Sequence, residues 1–403
     1  MKILFTKFIP AVIVLALGSC QTAVNKLDEQ ESLRIKPESI PESIPDNPAT
    51  IFVRDMGIGI NIGNTLDAIN NHVSDTPAGE NGWGNPSITL DFIRALKKYG
   101  YTSIRLPVTW AEYLGTSPHF QIAPERMNRV EEVVNWILAE DMYCILNLHH
   151  DGGNSPKSWI LNAADDPEGT AKQFGAVWKQ IAQKFSGASG KLIFEAMNEV
   201  GFDTLWNQWS GNTDGKNEAF RILNLLNQTF VDTVRASGGG NANRFLLISG
   251  YWTDIDRSCD PLFKMPADTT DDRLILSVHY YTPATFCILD KDESWGKNQI
   301  DWGSGNTAEA DYAELIRQFD KLKTNFLENG IPVILGEYGV SFNSTKIEAG
   351  RTRWFTAVTQ ICLNYGICPV LWDTGNDIKR RPPYQMSDAL TAAWKKIKKP
   401  NGN

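Results

Sequence analysis

Eight short apolar runs, each separated from the next by polar or amphipathic chain, set the strongest limit on what this sequence can fold into. They occupy 56–62, 103–108, 143–149, 191–197, 244–249, 273–281, 332–338 and 368–373. Runs of this length read as strands buried on both faces, as in a parallel sheet. Helical periodicity falls between them over 87–99, 124–140, 170–185, 217–237, 308–329 and 351–365. Eight strands with helical crossovers are what closes a (β/α)8 barrel. The link between the fifth and sixth runs is the shortest and lacks a long helix. An open doubly wound sheet would alternate in the same way, but no G-x-G-x-x-G follows the first strand. The reading is an α/β chain with a single (β/α)8 TIM barrel domain over 51–397.

In such a barrel the chemistry sits at the carboxyl ends of the strands. Those ends carry Asn61 and Asn64, Arg105, His149 and His150, Asn198 and Glu199, Trp252, His279 and Tyr281, Glu337, and Trp372 with Asp373. Three of the five histidines in the chain fall in this set. A carboxylate just past a buried strand is costly unless the site uses it. Glu199 and Glu337 are placed in that way, and two carboxylates across a pocket suffice to cleave a glycosidic bond. One protonates the leaving oxygen while the other attacks the sugar carbon or activates a water. Glu195 alternates onto the face of Glu199 but lies deeper, where a structural pairing with Arg105 is expected.

RLPVTW, LNLHH, FEAMNEV, SVHYY, VILGEYG and VLWD, in this order, resemble the signature of glycoside hydrolase family five. That family consists of retaining β-glycanases on a (β/α)8 barrel. GINIGNTLDA, ENGWGNP and VDTVRASGGG look more narrowly like its fourth subfamily of endoglucanases, lichenases and xyloglucanases. The resemblance covers residues 51 to 397 and implies roles residue by residue. Glu199 matches the general acid/base, whose pKa must be raised for it to hold a proton. Glu337 matches the nucleophile and must stay ionised, which donors such as Arg105 and Tyr281 favour. Asn198 would bind the sugar 2-hydroxyl, His279 would orient Glu199, and His149 would bind hydroxyls of the same sugar. Trp372 would be the floor under it. His150 and Asp151 are balanced between substrate contact and loop scaffolding, and Asn64 is a further substrate-binding candidate. One departure stands out: the family follows Asn-Glu with Pro, whereas this chain has Val200 and Gly201.

Thirteen tryptophans exceed what a core of this size needs, which points to platforms for a stacking ligand. Trp136, Trp178, Trp354 and Trp394 fall on helical patterns and read as core. Trp83, Trp206, Trp209, Trp252 and Trp302 fall in loops and are the platform candidates.

The first residues read as an address rather than as fold. Two lysines precede an apolar stretch over 8–17 that is too short to span a bilayer. It ends in LGSC, which resembles the bacterial lipoprotein processing box, so cleavage before Cys20 and acylation of its thiol are expected. Residues 21–50 hold the near-repeat PESIPESIP and read as a Pro-rich flexible tether, extended and semi-rigid, that reaches on the order of 100 Å. The expected location is outside the cytoplasm, anchored by lipid to a bacterial membrane, with the outer membrane or cell surface favoured; plain secretion is the alternative. Cys259 with Cys287, and Cys362 with Cys368, are conceivable disulfides, whereas Cys144 reads as a buried thiol.

A net charge of -8 excludes a nucleic-acid partner. A metal-dependent hydrolase is disfavoured, because adjacent His149 and His150 on a strand point to opposite faces and the first strand lacks a His-x-His pair. The expected function is a retaining endo-β-1,4-glucanase acting on cellulose or mixed-linkage β-glucan as a monomer, with no metal and no organic cofactor. A xyloglucan-specific endoglucanase is the alternative. A non-catalytic, lipid-anchored glycan-binding protein is the rival from another class.

Overall fold

The computed structural model describes residues 34–70, 76–153, 155–207, 211, 214–342 and 345–398. Eight strands lie within the eight apolar runs: β1 Gly59–Asn61, β2 Ser103–Leu106, β3 Tyr143–Asn147, β4 Leu192–Glu195, β5 Leu246–Ser249, β6 Leu274–Tyr280, β7 Val333–Tyr338 and β8 Cys368–Leu371. They pair in parallel in chain order, and β1 returns to β8 through Gly59 opposite Val370, so the sheet closes. The predicted helices form as Leu90–Lys98, Pro124–Ala139, Pro167–Lys184, Lys216–Ala236, Ala308–Asn325 and Glu348–Asn364. Between β5 and β6 the chain forms the 3-10 turn Tyr251–Thr253 and the one-turn helix Ile255–Ser258 but no long helix, in keeping with the weak pattern there.

Period-two alternation sorts the strand residues into two shells. Leu146, Phe194, Ile248, Leu276 and Val278 face outward into the layer shared with the helices. Ile145, Ile193, Leu247, Ile275 and Ile334 face inward as the apolar lower layer of the barrel. Two residues further along the same faces come Asn147, Glu195, Ser249 and Ser277, all fully buried. A polar layer therefore lies directly on an apolar one, at the end of the barrel where the site forms.

The helix Pro48–Asp55 stoppers the opposite end. Asn47 and Thr50 form a reciprocal capping box at its start, and Pro48 sits at the first helical position. Val53 and Met56, both fully buried, join the lower apolar layer. Each contributes about 1.5–3 kcal/mol by that burial.

This corrects the expectation of a flexible tether as far as residue 50. Lys36 and Glu38 are held by the Asn364 side-chain amide at 2.7 and 3.1 Å, and Asn47 Nδ2 donates to the Gly330 carbonyl at 2.7 Å. Ile44 is buried. Proline at this density prevents helix but not packing of an extended chain, so residues 36–47 belong to the folded domain. Cys20 and the segment before it lie outside the described residues.

Candidate active site

Arg105 is the hub of the polar layer. Its wholly buried guanidinium donates from Nε to Glu195 at 2.7 Å, from Nη1 to Asn61 at 2.9 Å and Glu337 at 2.7 Å, and from Nη2 to Asn198 Oδ1 at 2.8 Å. Burial works against its charge, but Glu195 and Glu337 outweigh burial and hold it firmly protonated. Glu195 is satisfied from three sides, since Asn147 and Ser277 also donate to it at 3.0 and 2.7 Å. The expected Arg105–Glu195 pairing is present, and the same guanidinium serves Glu337. Asn147 and Ser277 were not singled out from the sequence. Their signal was available: each lies two residues before a site histidine, on the same strand face.

The backbone bends where the carboxylates emerge. The β6–β7 register shifts between Val278 and His279, and the β7–β8 register shifts between Leu335 and Tyr338. Such irregularities re-aim side chains, and here they flank His279 and Glu337. Gly336 leaves little room for a Cβ, which would meet Ser277 Oγ at 3.0 Å and His279 Nε2 at 3.1 Å. His279 Nδ1 lies 2.7 Å from Glu199 Oε1 and 3.7 Å from Glu337 Oε2. An oxygen of Glu199 and one of Glu337 fall within 4.8 Å of each other. Tyr281 donates to Glu337 Oε2 at 2.9 Å.

These groups open into a cleft of 530 Å3 lined by His149, His150, Asn198, Glu199, Tyr281, Glu337 and Trp372, with the loops after β6, β7 and β8 as its walls. Arg105 and His279 lie beneath it. Asn64 does not line it; this residue turns the chain at φ 56°, with its N–H bound to Asp67 and its carbonyl bound by Asn85. Asp151 is scaffolding, because its two oxygens accept from Trp110 N and Trp159 Nε1. Asn198 Oδ1 is taken by Arg105, which leaves its NH2 as a donor for a ligand. Asn147 Oδ1 accepts from Val108 N, so its NH2 faces His149 Nδ1 at 3.2 Å, and His149 carries its proton on Nε2. The rings of Trp372 and His149 lie nearly parallel, 5.6 Å apart at 6°. Gly63 gives Trp372 its bed, since a Cβ there would stand 2.9 Å from the indole.

Burial holds His149 well below its ordinary range, and the charges of His150, Arg105 and His279 act in the same direction. Burial likewise draws His150 down to about 4 and keeps the Tyr281 phenol protonated. Glu337 is raised, first by burial and then by the like charge of Glu199, against the pull of His279 and Arg105. At Glu199 burial would raise the carboxyl, but its bond to His279, the charge there and Arg105 outweigh burial and hold it below the ordinary value. The dyad is thus polarised opposite to the sequence-based expectation. The difference lies in His279, whose Nδ1 bonds Glu199 at 2.7 Å but stands 3.7 Å from Glu337.

Two trios have donor atoms close enough to suggest a metal: Glu199 with His279 and Glu337, and Asp67 with His149 and His150. The first is the carboxylate dyad and its histidine. In the second, His149 Nδ1 is taken by Asn147, and both Asp67 oxygens accept backbone N–H groups from Asn64 and Thr65.

The tryptophans sort differently from the reading of the sequence. Trp178 and Trp354 are core as expected, and Trp136 and Trp394 are partly buried. Trp206 and Trp302 are buried and are not platforms. Trp83 and Trp252 are half-buried, and Trp209 lies outside the described residues. Trp295, not singled out, is the most exposed of the large apolar side chains among the described residues at 61%, while Phe342, also missed, lines the cleft half-exposed.

Comparison with known proteins places the chain in a family. The family model for cellulase, glycosyl hydrolase family 5, matches residues 63–378. The chain belongs to glycoside hydrolase family 5. It is 34% identical over 345 residues to an endoglucanase A of Paenibacillus barcinonensis, covering 81% of this chain and 82% of that protein. It is 33% identical to an endoglucanase A of Ruminococcus albus, covering 87% and 90%. Among solved structures, this family 5 barrel is similar to a GH5-4 broad specificity endoglucanase from an uncultured bovine rumen ciliate. That match has a TM-score of 0.75 at 34% identity and covers 87% of this chain and 97% of that one. It is also similar to a mutant lichenase of Caldicellulosiruptor sp. F32 solved with cellotetraose, at TM-score 0.79 and 30% identity, covering 90% and 100%.

Proposed function

We propose that this family 5 enzyme is a retaining endo-β-1,4-glucanase with Glu337 as nucleophile and Glu199 as acid/base. The observation that carries the reading is the spacing of the dyad, whose oxygens lie within 4.8 Å of each other over a stacking floor. Retaining enzymes hold their carboxyl groups at about 5–5.5 Å, whereas inverting ones leave room for a water at about 6.5–9.5 Å.

In the first step Glu337 attacks the anomeric carbon of the sugar on Trp372. The glycosidic C–O bond breaks, and its oxygen takes the proton of Glu199. A water then gives its proton to Glu199 and its oxygen to the same carbon, releasing Glu337. Substrate resets this proton distribution. A glucan lying across the lip removes solvent from Glu199 and sets an ether oxygen against it, both of which favour its protonated form. Arg105 and Tyr281 remain as the two donors to Glu337, and they favour its ionised form. Asn198 offers its free NH2 to the 2-hydroxyl, a contact that tightens as positive charge grows on the ring.

The substrate reading extends to cellulose and mixed-linkage β-glucan, with xyloglucan as the alternative. A family 5 xyloglucanase from Paenibacillus pabuli is also a structural match, with a TM-score of 0.77 at 31% identity. Reducing-sugar release from carboxymethyl cellulose, barley β-glucan, xyloglucan and mannan sets the order among them. Release from at least one glucan, abolished in Glu337→Ala, is the expected result. Binding without release by the parent enzyme would make this a glycan-binding protein instead.

The location is part of the same proposal: cleavage before Cys20, acylation of its thiol, and tethering to a bacterial membrane. No helix among the described residues is long and apolar enough to cross a membrane. Residues 36–47 pack on the barrel and so do not belong to the proposed tether.

A further inference from the structure

Glu199 lies four residues beyond Glu195, where β4 ends, so the strand ladder does not fix its height over the cleft. Its loop is fixed instead by residues just past the two neighbouring strands, β3 and β5. Asn198 N–H donates to Leu148 O at 2.9 Å, Trp252 N–H donates to Val200 O at 2.9 Å, and Phe202 N–H donates to the Tyr251 hydroxyl at 2.7 Å. Val200 is fully buried and presses on Gly152, where a Cβ would stand 2.4 Å from its methyl. At Gly201 the clearance is smaller still. A Cβ there would lie 1.8 Å from Trp252 Nε1 and 2.1 Å from Cδ1, so the indole lies against the bare backbone two residues after Glu199.

Trp252 is held in a conformation that is hard to maintain. It has φ 54°, and the buried β-branched Thr253 that follows has φ 51°. Successive left-handed non-glycine residues persist only where the surroundings over-determine them, and such strain gathers at functional sites. The Arg257 guanidinium lies 4.3 Å over the Trp252 ring, from the short helix capped by Asp254. Gly250 admits that helix, since a Cβ there would stand 1.9 Å from Ser258 Oγ. With Arg257 over the ring and Gly201 against it, Trp252 is not among the residues lining the cleft.

We infer that Trp252 is a positioning residue that sets the acid/base: its strained indole clamps Gly201 and so fixes the carboxyl of Glu199 against His279. The inference rests on Glu199 being the acid, and the test separates the two claims. Aryl β-cellobiosides with leaving groups from dinitrophenol to phenol place no sugar beyond the scissile bond, and kcat/KM reports the glycosylation step alone. Trp252→Ala is expected to lower kcat/KM for phenyl cellobioside by roughly 100-fold, as for a misplacement of about 1 Å, and for the dinitrophenyl substrate by no more than about threefold. Gly201→Ala, which pushes the indole away, should steepen the leaving-group dependence in the same way. The double variant should lose less than the product of the two single losses, because the new methyl fills the space left by the indole. If Trp252→Ala does not fold, Trp252→Phe replaces it, keeping a ring but not the pyrrole edge that covers Gly201. A loss equal across all leaving groups, or additive single effects, would overturn the clamp. Glu199→Gln is measured alongside. If it steepens the dependence while Trp252→Ala does not, the clamp alone fails; if it does not, the acid assignment falls and the clamp with it.

Discussion

Arg105 Nη1 lies 2.7 Å from Glu337 Oε1, and the same guanidinium grips Glu195 from its Nε side at 2.7 Å. One buried cation thus neutralises a structural carboxylate below and a reacting one above. Arg105→Met would leave both acids without their cation. The expected cost is about 3–5 kcal/mol of stability, read by urea unfolding near neutral pH, together with loss of turnover. Arg105→Lys should recover part of the stability but little activity, since an ammonium cannot reproduce the planar fork that reaches four acceptors.

Tyr281 donates to the ionised form of Glu337, whose carboxyl burial already raises. Removing that donor disfavours the charged form further, so the nucleophile protonates at a higher pH. The acid limb of kcat/KM for Tyr281→Phe should therefore move up by about one unit, the value of one hydrogen bond to a charge. A limb that stays in place, or moves to lower pH, would show that Glu337 does not control it.

The five described cysteines are free, so neither conceivable disulfide forms. Four are buried, and burial pushes the Cys368 thiol up to about 12 and the half-buried Cys259 thiol to about 11. Thiolate is the reactive form, so these residues should be inert near neutral pH. A reducing agent should leave activity and melting temperature unchanged. Native alkylation should be slow throughout and fastest at Cys259, as read by peptide mass spectrometry.

Membrane fractionation of Cys20→Ser in a bacterial host tests the anchor. The variant should move to the soluble fraction with its glucanase activity intact. Unchanged membrane association would remove the lipid from the account.

The strands were legible because a barrel repeats one local rule eight times, and each inward face follows from period two. The paired carboxylates were legible because Glu337 stands near the end of β7 and Glu199 follows the apolar run that holds β4. Burial of loop residues was not, because it depends on distant partners. Trp302 is buried against the Tyr312 ring, whereas Trp295 sits exposed on a tight turn closed between Glu293 and Gly296. The helix Pro48–Asp55 was hidden by the prolines before it, although Asn47 followed by Pro48 is itself a helix-start signal. The packing of 36–47 rests on Asn364 and Gly330, some 300 residues away in sequence, which no local pattern encodes. The proton distribution of the dyad depends on the bond between His279 and Glu199, two residues 80 apart in sequence, which no local pattern encodes.

The central claim is a covalent glycosyl-enzyme on Glu337, and trapping it is the most direct test. Incubation with dinitrophenyl 2-deoxy-2-fluoro-β-cellobioside, which is activated for the first step and slow in the second, followed by peptide mass spectrometry, locates the bond. The account predicts one fluorocellobiosyl group per enzyme, on the Glu337 carboxyl, formed with loss of activity. A label on Glu199, or no label with α-configured sugar as the first product by NMR, would contradict it.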